Sequence, residues 1–140
     1  MSDDELLARF EALDLPDGGF HHRDHLRLAW IYLHRFPVLE VLARLSEGLA
    51  ALARSRGVPG QYHQTMTWAY IFLIEERIAR TDGDCSWDEF AHNHPDLLNG
   101  SEGILRRYYR DETLRLDLAR EIFVLPDRGI AIPDEGDVSS

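Results

Sequence analysis

QYHQTMTWAYIFLIEERIAR, residues 61 to 80, decides how the rest of this chain is read. From Met66 to Ile74 it is apolar on nearly every side, interrupted only by threonine and tyrosine hydroxyls. A helix that is apolar all round belongs inside a protein, and this run is far shorter than the roughly 20 residues needed to span a bilayer. The stretch therefore predicts a central, buried helix with more amphipathic helices packed around it.

Working outward, the flanking segments supply those helices. Residues 3 to 13, DDELLARFEAL, place Leu6, Phe10 and Leu13 at helical spacing behind a first turn of acids that the helix dipole favours. LPDGG at 15 to 19 breaks the chain, and a second helix runs from His22 to about Phe36, stopped by Pro37. Pro37 opens a third, whose stripe Val38, Val41, Leu42, Leu45, Leu49 and Leu52 ends at Gly57 and Pro59. Beyond the central helix, TDGDC turns the chain and Ser86 with Glu89 forms a capping box for WDEFAHNH. Pro95 begins a short turn, PDLL, closed by Asn99-Gly100. EGILRRYY and DETLRLDLAREIFVL read as one broken helix or two, with Asp111 as a cap. No segment alternates as a strand does. The expectation is an all-α, single-domain, compact bundle of five to seven helices over residues 1–125, followed by an irregular acidic tail at 126–140, loosely packed or disordered.

Composition narrows the chemistry. The basic residues number fifteen against twenty-five acids, a formal charge of −10, and a field of that sign repels phosphate backbones and anionic lipid surfaces. Neither nucleic acid nor membrane is an expected partner. All the basic residues are arginine, so lysine Schiff-base and phosphate-loop lysine chemistry are excluded. The one cysteine, Cys85, cannot form an internal disulfide, and the acidic start MSDDELLARF does not resemble a secretory signal. Both point to the cytoplasm.

Histidines are the strongest functional signal. FHHRDHLRLAW, residues 20 to 30, carries three of them at the start of the second helix. Leu26, Ala29, Trp30 and Leu33 define the apolar face there; His22 falls within about 30° of its centre and His25 about 90° away, with His21 farther round. His22 and His25 are neighbours one turn apart, able to reach a common point. His63, read as one turn inside the central helix, shares a face with Thr67, Tyr70 and Ile74. If these two helices pack together, His22, His25 and His63 converge. Three neutral imidazoles suit a divalent transition metal, zinc, iron, copper or nickel, and leave an open position for water or substrate. Thr67 and Tyr70 would hydrogen-bond what binds, and Glu75 is the better of two candidates, with Glu76, for a carboxylate ligand or base. Glu76 is better paired with Arg80 four residues on.

Two plainer accounts compete: a metal-free acid–base pocket, and histidines that merely cap and pack. Asp24 fits dipole compensation in the first turn, His34 fits a helix C-terminus, and His92 and His94 look like a loop pair before Pro95. Arg106 or Arg107 could hold a substrate carboxylate beside Tyr108 and Tyr109. Trp30, Trp68 and Trp87 fit the core.

The segments FHHRDHLRLAWIYL, YHQTMTWAY and RRYYRDETLRLDLAREIFVLPDR resemble a group of small, uncharacterised bacterial helical proteins over most of the span from Phe20 to Arg128. Its pattern, F-x-H-x-x-H followed by Y-H-x-T, falls on His22, His25, His63 and Thr65. The resemblance implies no reaction. The metal-dependent DinB-like helical proteins are a more distant analogy, since their histidine spacing differs. The expectation is thus a metal-dependent enzyme acting on a small-molecule substrate, as a monomer or homodimer, against the alternative of a non-catalytic helical module for a ligand or protein partner.

Overall fold

Ser2 starts the first helix. Its Oγ accepts a hydrogen bond from the Glu5 amide at 3.1 Å, and Asp3, Asp4 and Glu5 fill the first turn. In the computed structural model, which describes residues 1–15, 20–81 and 83–128, this helix is α1, Asp3–Glu11. It ends two residues before Leu13, which adopts φ 57°. The Leu13 amide bonds to the Phe10 carbonyl and that of Asp14 to the Arg9 carbonyl, both at about 3 Å. That is a Schellman closure with leucine where glycine is usual, and it turns Leu13 out to solvent instead of onto the buried face.

The helices that follow are α2 (His22–Leu33), α3 (Val38–Ser55), α4 (Gln64–Arg80), α5 (Trp87–Asn93), α6 (Asp111–Leu114) and α7 (Asp117–Glu121), with single 3₁₀ turns at Pro59–Gln61, Pro95–Leu98 and Ile104–Arg107. No strand occurs among the described residues, and none of their helices is long and apolar enough to cross a membrane. The chain is an all-α bundle. Local chemistry explains several boundaries. Asp24 accepts from the His21 amide at 2.9 Å to open α2, and the Ser86–Glu89 capping box opens α5 at 3.2 and 2.9 Å.

As expected, α4 is the hub: it packs against α2, α3 and α7, with Ile71 and Ile74 fully buried. Its apolar girth is not covered all round, however. Phe72 is 45% exposed and lines a groove of about 180 Å³ with Leu73, Tyr108 and Phe123. Around α1 and α5 the core is close-packed. Phe10 lies under α3 so tightly that a Cβ added at Gly48 would stand 2.5 Å from the ring's Cζ. Trp30, Trp87 and Phe90 form an aromatic cluster with centroids 6.0–6.4 Å apart.

The C-terminal region departs from the expected helix. After α6 and α7, two short turns, the chain runs extended from Ile122. The competing force is a set of side-chain bonds to its backbone. Thr65, wholly buried on α4, donates to the Ile122 carbonyl at 2.8 Å and accepts from the Val124 amide at 3.0 Å; Tyr109 donates to the Val124 carbonyl at 2.7 Å. Leu116, Leu118, Ile122 and Leu125 are all at least 49% exposed. The chain stays anchored past residue 126, since Asp127 accepts from the Arg110 amide and the Thr113 hydroxyl, and the Arg128 amide bonds to the Tyr108 carbonyl. The tail expected from 126 is therefore tied by hydrogen bonds at its start, where Pro126, Asp127 and Arg128 are exposed, and residues 129–140 lie outside those described.

Candidate ligand-binding cavity

Packing α2 and α3 against α4, and closing the end with α6 and α7, leaves a cavity of about 480 Å³. This is within the roughly 300–1,000 Å³ typical of small-molecule sites. Its apolar wall is drawn from Leu26 and Ala29 of α2, Leu45, Leu49 and Leu52 of α3, and Met66 and Ile71 of α4. His22, His25, His63, Thr67 and Tyr70 line the same space. Five of the six residues singled out from sequence thus share one cavity. Glu75 does not line it: twelve residues beyond His63, it stands about 18 Å farther along the helix axis.

The three imidazoles are held for different purposes. His63 is not one turn inside α4 but its N-cap. Its Nδ1 accepts from the Met66 amide at 3.1 Å, and Nε2 donates to the Leu114 carbonyl at 2.7 Å. These bonds fix the Nε2–H tautomer, and the ring's one nitrogen lone pair, on Nδ1, is taken by the Met66 amide, so none is left for a metal. His22 donates from Nε2 to the Leu97 carbonyl at 2.8 Å and meets the Tyr70 ring edge-on, centroids 5.0 Å apart. Burial pushes the His22 and His63 pKa values down, partly offset by these backbone acceptors.

His25 differs. Its ring rests on Phe20, centroids 4.3 Å apart, and among the described residues neither of its nitrogens has a hydrogen-bond partner. His25 lines the cavity and is exposed to solvent. Burial, with His22 adding to it, pushes its pKa down to about 4, and Asp24 opposes the shift. At neutral pH it is an uncharged imidazole offering one donor and one acceptor.

No family model, curated protein or solved structure matches this chain. The site is therefore read from its own geometry. No group of three histidine, cysteine or carboxylate side chains among the described residues is placed to hold a metal ion. The hydroxyls are already engaged as well: Thr67 donates to the His63 carbonyl at 2.8 Å, and Tyr70 to the carbonyls of Ser101 at 2.9 Å and Gly100 at 3.2 Å. Burial raises the Tyr70 pKa, so it stays a neutral phenol.

Sequence reasoning missed the cations of the site. Arg56, Arg115 and Arg120 line the cavity, against Glu102 as the carboxylate among the described residues. No local pattern announces them, because each arrives from a different helix end. The remaining histidines are structural or peripheral. His34 bonds through Nδ1 to the Trp30 carbonyl at 2.8 Å, His21 and His92 are exposed, and His94 accepts from Arg77, which is also paired to Asp96 through two bonds of 3.1 and 2.8 Å.

Proposed function

We propose that this protein is a small-molecule-binding helical domain and that the cavity between α2, α3, α4 and α7 is its site. The observation that carries the reading is His25. Its ring lines the cavity and neither nitrogen is bonded to a described residue, so in the free protein water meets this donor–acceptor pair and a ligand's polar group replaces that water. The apolar walls supply affinity, while the few polar groups orient what enters. Cytoplasmic residence is part of the proposal, on the strength of the lone, half-exposed thiol of Cys85.

A three-histidine metal enzyme requires His63 to abandon both its cap and its bond to Leu114, and so ranks below the metal-free reading. Acid–base catalysis without metal is the second reading, favoured by His22, His25 and Tyr70 meeting in one cavity. Its difficulty is basicity: a group titrating near pH 4 drives proton abstraction weakly at neutrality.

The test uses the neutral apolar fluorophore 1-aminoanthracene. Saturable, one-to-one binding is expected, abolished by Leu49→Trp, which fills the cavity while leaving far-UV circular dichroism unchanged. Equal binding by both proteins, or none by the wild type, overturns the assignment.

A further inference from the structure

The formal charge of the chain is −10, yet its cavity is lined by three arginines and one glutamate among the described residues. The distribution of these groups is uneven. Leu26, Leu45 and Leu52 are buried and form the floor, whereas Arg115 and Arg120 are exposed and mark the rim. Arg115 follows α6 as its C-cap, and Arg120 lies in the last turn of α7. Arg120 donates from Nη1 to the Gly60 carbonyl at 2.7 Å, a neutral acceptor that holds the guanidinium in place without cancelling its charge. Among the described residues neither arginine forms an ion pair with a carboxylate. Glu102, the opposing acid, is partly offset by Arg106 at 3.8 Å.

Resting on the reading of the cavity as a small-molecule site, we propose that its ligand is an organic anion: an apolar body against Leu26, Leu45, Leu49 and Leu52, and a carboxylate head at Arg115 and Arg120. Guanidinium groups suit this role because their planar forks match a carboxylate with two parallel hydrogen bonds. A cationic or zwitterionic ligand would meet repulsion at the rim. A neutral one would leave the two cations without a counter-charge. His25 lies within the wall and takes a polar substituent on the ligand's body.

Displacement of bound 1-aminoanthracene by octanoate and by 1-octanol separates the outcomes. Transfer from water disfavours the charged compound, so an uncharged cavity prefers the alcohol. The expected result is displacement by octanoate at about tenfold lower concentration than by 1-octanol, with that advantage lost in Arg115→Gln/Arg120→Gln and the alcohol unaffected. Arg115→Gln alone serves as a second variant, because among the described residues the Arg115 side chain makes no hydrogen bond, and half or more of the advantage is expected to go with it. A preference for octanol, or arginine variants indistinguishable from wild type, overturns the anion assignment while leaving the cavity reading intact. Displacement by neither compound also overturns it for an aliphatic carboxylate. If 1-aminoanthracene itself fails to bind, it is the reading of the cavity that has failed.

Discussion

Nε2 of His63 donates to the carbonyl of Leu114 across 2.7 Å, joining the start of α4 to the end of α6 over 51 positions of sequence. The same ring caps α4 through Nδ1. One side chain thus orders a helix terminus and fixes the end wall of the cavity. His63→Ala removes both bonds and strands a carbonyl in a buried place. The expected cost is about 2–4 kcal/mol, as a cap and a buried hydrogen bond are lost together. His63→Asn keeps the cap alone and should fall between the two in urea midpoint. Equal midpoints for wild type and His63→Ala would show the contacts to be incidental.

Metal content follows from the same geometry. Protein purified without a histidine tag should carry well below one equivalent of zinc, iron, copper or nickel, and His63→Ala should not change that. A full equivalent in wild type that disappears in the variant would restore the metal-enzyme reading.

Thr65 has no neighbour in sequence that hints at its role, yet it fastens the extended C-terminal segment at both Ile122 and Val124. Thr65→Val conserves shape and leaves those two backbone groups unmet, for an expected loss of about 2–3 kcal/mol. Thr65→Ser keeps the hydroxyl and should lose far less. The segment's amide exchange, measured at Val124, should accelerate in the valine variant only.

Gly48 faces the Phe10 ring, and a methyl group there would overlap it at 2.5 Å. Alanine normally favours a helix interior, so the sign of Gly48→Ala tests the packing. Overpacking of about 1–3 kcal/mol should outweigh the gain of about 1 kcal/mol in helix propensity. A raised melting temperature would mean that α1 shifts aside freely.

Acid should weaken the fold through the histidines. His22, His25 and His63 all have folded-state pKa values below the ordinary 6.5, that of His25 at about 4. Between those values the unfolded chain binds more protons than the folded one, so stability is complete above about pH 6.5 and is lost as pH falls toward 4. Asp96 and Asp127, whose pKa values are lowered from 3.8 by Arg77 and by Thr113 respectively, contribute their loss only at lower pH. The urea midpoint should therefore decline from pH 7 to pH 4.5, and His25→Gln should flatten part of that decline. An identical slope in the variant would contradict a His25 held neutral by the fold.

The sequence made the architecture legible where the signal was local. The Ser86–Glu89 box and the turn at Pro95 rest on contacts within a few residues and stand as read, and the apolar run placed α4 at the hub although it leaves Phe72 exposed. Helix-face geometry likewise carried His22, His25, His63, Thr67 and Tyr70 to one cavity. What could not be read was the use of each nitrogen, since the carbonyls of Leu97 and Leu114 that bind His22 and His63 lie 75 and 51 positions away. His63 could have been suspected as a cap from Pro59 and Gly60 just before it, which delay the helix start. Arg115 and Arg120 were hidden inside a stretch read as one broken helix or two, whose short turns α6 and α7 bring them to the cavity.

The measurement that bears most directly on the central claim is a ¹H–¹⁵N chemical-shift map of the protein titrated with 1-aminoanthracene. Shifts should concentrate at His25, Leu49, Met66 and Ile71, around the histidine-lined cavity. Shifts confined to Phe72, Leu73 and Phe123 in the smaller groove, or scattered without saturation, would contradict it.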